Sequence, residues 1–294
     1  QLGDLKEGIE SFRRAVEIDP GYRDAHFNLA AALASRGDWE GAARHYGRAA
    51  EIDPADHRSR LERALALERI GRGPEAHSDL EALLEASPPA PDAIRATALA
   101  RLGLAAARRD RQEEAERRLR EAAALDPGQA PLFARWLGRQ GRFREAAEWY
   151  RKAIEAGRDD GEIRFGRAMA LLLAGEERMA KGVLEEAVRA LPEELGLRHA
   201  LARLLAGARS PEIRDPERAL RLAREVFRSR PSIPHAETVA MAHAAAGDFE
   251  AAVQWQQRVL DQASGAPAGV LVTARRRLEA YRRGESGLAP WLGG

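Results

Sequence analysis

The sequence predicts an all-α fold, a solenoid of antiparallel helix pairs, and three observations carry that expectation. A fixed residue pattern recurs along the chain every 31 to 39 residues. Within each period apolar residues fall three and four apart, the spacing that places side chains on one stripe of a helix. A turn residue and a proline punctuate the periods at constant offsets. The pattern is clearest from Gly37, where Ala42, Tyr46, Ala49 and Pro54 follow 5, 9, 12 and 17 residues on. Glycine at the anchor accepts a left-handed backbone at a helix end. Proline ends the second helix and opens the link to the next pair.

Taken in order, Gly3 leads to Gly8, Phe12, Ala15 and Pro20. Residues 4–19 therefore read as a second helix without a first, carrying the stripe Leu5, Ile9, Phe12 and Val16. Leu29, Ala30 and Leu33 form the first-helix stripe ahead of Gly37. Gly71 leads to Ala76, Leu80, Leu83 and Pro88, and the link over 88–91 (Pro-Pro-Ala-Pro) adds five residues. Leu99, Leu102, Gly103 and Ala106 precede a weaker anchor, Asp110, which leads to Ala115, Leu119, Ala122 and Pro127. The unit around Gly141 has a first helix about three residues short. Ala168, Leu171 and Leu172 precede Gly175, which leads to Ala180, Leu184, Ala187 and Pro192. Residues 207–215 are a longer polar insert, expected to project from one edge; Arg214 then leads to Ala219, Ala223, Val226 and Pro231. Gly247 anchors the last pair. Residues 269–283 read as a first helix without a second, with the stripe Leu271, Ala274, Leu278 and Tyr281. The expected organisation is a partial repeat (second helix only) over 1–22 and seven helix-turn-helix repeats over 23–265. A capping or docking helix over 266–283 and a tail over 284–294, with Pro290-Trp291-Leu292, complete it.

Period, turn residue, paired alanines and terminal proline recur together, and in this the chain resembles the tetratricopeptide repeat from residue 1 to about 265. The strongest copy runs from Asp24 to Pro54, with Gly37-Asp38-Trp39, Tyr46 and Ala49-Ala50-Glu51-Ile52-Asp53-Pro54. The resemblance implies a right-handed superhelix whose concave face is lined by the first helix of each pair. Two residues depart from the pattern: Arg63 and Gln256 stand where this repeat carries apolar side chains.

Composition narrows the function classes. Of 294 residues, 45% are hydrophobic, which excludes a disordered chain. The absence of cysteine excludes disulfides, thiolate zinc sites and thioether-attached haem, and assigns no compartment. The longest apolar run, 168–174, is too short to cross a bilayer, so membrane insertion is not expected. A net charge of +1, from 47 basic and 46 acidic residues, argues against a nucleic-acid binder. None of the seven histidines (His26, His45, His57, His77, His199, His235, His243) stands in a His-Glu-x-x-His arrangement. His235 and His243 are two helical turns apart, too far for one ordinary metal site. No phosphate-binding glycine loop or serine nucleophile elbow occurs. Acidic pairs such as Glu113-Glu114 and Glu185-Glu186 read as solvated charge. The expectation is a non-enzymatic chain with no catalytic residue, no metal and no cofactor.

What remains is recognition. If the family geometry holds, the groove-lining positions are Phe27, Asn28, Arg58, Arg69, Arg101, Arg108, Arg135, Arg139, Phe165 and Arg203. Members that hold a C-terminal carboxylate use a Lys/Asn/Arg clamp; only Asn28 matches it here. The arginines instead suit a protein segment or acidic peptide, because guanidinium forks hold carboxylates bidentately. The competing expectation is that these arginines pair with glutamates of adjacent repeats. The ends allow another function, a structural subunit assembling head to tail into a filament or a coat on another assembly. Its interface would be Leu5, Ile9, Phe12 and Val16 against Leu271, Leu278 and Tyr281. Charge favours such an approach: residues 1–56 hold 7 basic and 11 acidic groups, and 267–294 hold 5 and 2. The most basic stretch, 198–232, holds 9 arginines and 4 acids.

Overall fold

The computed structural model describes residues 2–263, 265 and 267–286, and among these it contains helices and no strand. The chain divides into two compact units, residues 1–133 and 134–294. The first holds α1 (Leu2–Ile18), α2 (Arg23–Ser35), α3 (Trp39–Ile52), α4 (His57–Arg69), α5 (Gly73–Leu84), α6 (Asp92–Arg108) and α7 (Gln112–Leu125). A 3-10 turn at Pro127–Gln129 then leads into α8 (Ala130–Arg139), in which the unit boundary falls. The second holds α9 (Phe143–Glu155), α10 (Gly161–Leu173), α11 (Glu177–Ala190) and α12 (Leu195–Gly207). It continues with α13 (Pro216–Ser229), α14 (Ile233–Ala245), α15 (Phe249–Gln262) and α16 (Ala268–Arg282). The tail with Trp291 lies outside the described residues.

In the first unit α2, α4 and α6 turn back onto α3, α5 and α7, and each second helix also packs on the next first helix. The reversal is made at Gly37, Gly71 and Asp110, whose φ values of 86°, 78° and 59° are all left-handed. Leu29, Leu33, Leu67, Leu80, Leu83 and Leu102 fill the core, with alanines such as Ala30, Ala42, Ala64 and Ala76 between them. Small residues let the helices close up: a Cβ on Gly103 would come within 2.8 Å of Leu119. The second unit repeats the scheme with α10/α11, α12/α13 and α14/α15, and α16 packs on α15. Leu184, Leu197 and Leu201 are fully buried there. α8 has 10 residues where α2, α4, α10, α12 and α14 each have 13.

Several helix starts are fixed by side-chain caps, which satisfy otherwise orphaned N–H groups. Asp38 accepts from Gly41, Asp160 from Ile163, Asp215 from Arg218 and Asp248 from Ala251. Asp56 does more than cap α4: it also accepts from the Ser59 hydroxyl and from Arg23 of α2, at 2.9 Å. Burial alone would raise its pKa, but the Ser59 and Arg23 hydrogen bonds outweigh it and hold the carboxyl below its usual value.

One sequence expectation meets a different geometry, and the two departures from the repeat pattern, Arg63 and Gln256, are accommodated in the packing. The 207–215 insert does not project. Ala208 and Ile213 are buried, and the backbone N–H groups of Arg209 and Ser210 donate to the carboxylate of Glu177, at 3.2 and 3.3 Å. Asp215 N–H closes the loop on Leu205 O at 3.0 Å. Arg63 takes the apolar position by lying over Gly47, whose missing side chain leaves room, and pairing with Asp79 at 3.4 Å. Gln256 is wholly buried; its amide donates to Ala274 O of α16 at 3.1 Å, while its Oε1 finds no hydrogen-bond donor.

Candidate functional site

The sequence-selected groove residues fall on first helices, and each unit presents its own set. In the first unit, α2 carries Phe27 and Asn28, α4 carries Arg58 and Arg69, and α6 carries Arg101 and Arg108. Glu62, Leu65 and Arg69 share one stripe of α4 at three- and four-residue spacing, and Arg101 and Arg108 are two turns apart on α6. With Trp39 and Glu68 they line a cleft of about 400 Å³. Asn28 is exposed beside it in sequence, while Phe27 is half-buried and edge-on to Tyr46, with ring centroids 5.3 Å apart.

The arginines of this unit are held in different ways. The Arg58 guanidinium sits 5.0 Å from the Phe27 ring centroid and that of Arg69 5.4 Å from Trp39. Such cation–π contacts orient a guanidinium without neutralising it. Arg101 pairs with Glu68 at 3.4 Å. Arg108 is exposed and meets no carboxylate among the described residues. Tyr46, behind Phe27, has its pKa pushed up to about 12, chiefly by burial and then by the Glu62 charge, so its hydroxyl stays neutral.

The second unit treats its candidates differently. Arg135 pairs with Glu162 of α10 at 2.7 Å. Arg139 is exposed, and Phe165 keeps 39% of its surface open. Arg203 is half-buried on α12, where burial and then the nearby Arg277 charge lower its pKa, against the pull of Glu237. Arg277 itself pairs with Glu237 at 3.0 Å. This cluster is built into the packing of α12, α14 and α16 rather than displayed from it. Cross-repeat pairing therefore engages Arg101 and Arg135, and leaves Arg58, Arg69 and Arg108 without a carboxylate among the described residues.

The end-helix stripes are occupied within the chain. Ile9 is buried, and Leu5, Phe12 and Val16 pack partly against the same core as α2. Leu278 and Tyr281 are buried, Tyr281 against Ala240, Ala244 and Ala252, and Leu271 is half-buried. Packing on the adjacent pair uses these stripes. The apolar side chains left exposed at the two ends are others, among them Ile18, Val270 and Val272. Nothing in the local sequence separated these from the stripe residues, because both sets fit helical spacing. No described helix is long and apolar enough to cross a membrane.

Helix pairs stacked on alanine-rich faces, most of them closed by a left-handed turn, define a helical-hairpin repeat protein. Models of the tetratricopeptide repeat match residues 1–67 and, in a second form, residues 132–194 and 212–267. The chain belongs to the tetratricopeptide repeat family. An uncharacterized protein of Methanocaldococcus jannaschii is 48% identical over 40 residues, which are 14% of this chain and 46% of that protein. The match therefore spans about half of that relative's length. PilF of Pseudomonas aeruginosa is similar in structure at 21% identity and a TM-score of 0.53, covering 73% of this chain and 95% of that one. Yeast Tom70 is similar at 15% identity and a TM-score of 0.50, covering 95% of this chain and 59% of that one. At these identities the likeness is one of fold. Tetratricopeptide repeat proteins generally mediate protein–protein interactions and are typically non-enzymatic.

Proposed function

We propose that the chain is a protein-interaction scaffold that holds an acidic segment of a partner in the cleft between α4 and α6. The observation that carries this reading is Arg108, an exposed guanidinium in the cleft that meets no carboxylate among the described residues. Arg69 supports it from the facing helix, oriented by Trp39. A carboxylate entering there can take a forked hydrogen bond from Arg108 without first breaking an existing pair. Glu62 and Glu68 on the same wall set the register, because they repel acidic residues placed anywhere but opposite the arginines. Leu65 and Trp39 supply the apolar contact that makes the pocket more than a charge.

Isothermal titration of the full chain with a glutamate-rich peptide tests this. Arg108→Glu should weaken binding by about tenfold or more, while the glutamine version of the peptide should bind poorly to both proteins. Unchanged affinity for the reversed variant would remove the cleft from the reading.

A further inference from the structure

A second arginine surface lies outside the first-helix positions. Arg221, Arg224 and Arg228 of α13 stand at i, i+3 and i+7 and so share one stripe of the helix. Along the axis they are separated by about 4.5 and 6 Å. With Leu220, Glu217, Glu225 and Trp255 they line a cleft of about 740 Å³. Trp255 comes from α15 and is fixed on two sides. Phe227 meets its ring edge-on, with centroids 4.9 Å apart, and the Arg258 guanidinium lies 5.0 Å from its centroid.

The cleft carries a net positive charge. Arg218 of the same helix meets a carboxylate, that of Glu185. Arg221 and Arg228 meet none among the described residues, and four arginines face two glutamates around the indole. Arg224 is held from behind: its guanidinium donates to His243 Nε2 at 3.2 Å, and His243 Nδ1 lies 2.9 Å from Asp248 Oδ2. A guanidinium can only donate, so Nε2 must accept, which puts the ring proton on Nδ1 facing Asp248. The chain of three thus fixes Arg224 without neutralising its outward charge.

We propose that this α13–α15 face binds an acidic, amphipathic helix of a partner protein. The spacing selects the helix. Carboxylates three and four residues apart on a helix repeat at the same rise as the three arginines, so each can be met by one acid. Same-side residues of an extended strand are about 6.7 Å apart and fall out of step with the first two. Leu220 and the indole of Trp255 receive the apolar side of such a helix, in the helix-in-groove mode. A polyanion such as nucleic acid is disfavoured by the chain's net charge of +1 and by the glutamates at the rim. The proposal is independent of the α4–α6 cleft.

The test uses the full chain and a fluorescently labelled alanine-based helical peptide with glutamates three and four apart and leucines beside them. Fluorescence anisotropy should show salt-sensitive binding. The Arg221→Glu/Arg228→Glu double variant should weaken it by about tenfold or more, with the helical circular dichroism spectrum retained. Neither side chain makes an ion pair among the described residues. Arg108→Glu should leave this binding intact, so failure here and failure of the α4–α6 reading are separate results. The proposal is overturned by absence of binding, or by binding that survives the double reversal. It is also overturned if single-stranded DNA competes as well as the peptide does, which would make the face a polyanion surface. Sedimentation covers the last case: if the double reversal dissociates an oligomer, the occupant is a second copy of the chain instead.

Discussion

His199 sits on α12 with its Nε2 2.7 Å from the Oγ1 of Thr238 on α14. The Thr238 hydroxyl donates to Pro234 O at 3.0 Å, so it accepts from the imidazole. Burial pushes the His199 pKa down from 6.5 to about 4, helped by the charges of Arg203 and His235. The folded protein therefore holds the neutral ring. The stability tied to that preference is fully present above the unfolded value of 6.5 and is lost as the pH falls toward about 4. Allowing for the ring's partial exposure, the loss amounts to about 2 kcal/mol between pH of about 7.5 and about 4.5. His199→Gln keeps a donor for Thr238 and does not titrate. Urea midpoints of the two proteins should converge, or cross in favour of the variant, as the pH is lowered. Parallel curves would show that His199 is not a source of acid sensitivity.

The hairpin turns are where local sequence determined most. The tight reversals each need one left-handed residue, a requirement that sits in a single position and is visible as glycine in Gly37, Gly71, Gly141, Gly175 and Gly247, while the longer α12–α13 loop over 208–215 turns without one. Asp110 takes the same conformation at φ 59°, against the steric preference of a residue with a Cβ. Its carboxylate recovers part of that cost by accepting from Gln112 Nε2 at 2.9 Å. Asp110→Gly should stabilise the α6–α7 hairpin by about 0.5–1 kcal/mol, read from the denaturant midpoint at unchanged slope. A destabilised variant would mean that the Gln112 bond outweighs the backbone strain. Helix stripes were legible for the same reason as the turns, since they depend on neighbours three and four residues away. Contacts across repeats were not. The carboxylate that folds back the 207–215 loop is Glu177, some thirty residues earlier, and no local signal marks it. Likewise, the charge of 198–232 was plain in the sequence, but that Trp255 stands in its midst depends on the packing of α13 near α15. Among the groove candidates, helical position was legible and pairing state was not. Whether Arg101 meets Glu68 while Arg108 stays open is decided by rotamers on two helices.

A chain of repeats has no single centre whose loss dissolves everything, because each pair buries its apolar stripe only against its neighbours. The two compact units, 1–133 and 134–294, each carry one of the arginine clefts and the core that supports it. The consequence is functional: one binding face can be weakened while the other is left standing. Leu67, fully buried on α4 behind the first cleft, is the place to ask. Leu67→Ala removes three buried carbons from a close-packed site and should cost about 3 kcal/mol. In a nearest-neighbour array that loss is felt where the contacts are broken. Amide hydrogen exchange should therefore accelerate across α2 to α6 and remain at its parent rate in α13 to α15. The same variant should lose the glutamate-rich peptide at α4–α6 as that region opens, yet still take the helical acidic peptide at α13–α15. Exchange that rises equally in both units would mean that the chain unfolds as one cooperative body. The two faces would then share a single stability, and a partner held at one would tighten the other through that shared equilibrium.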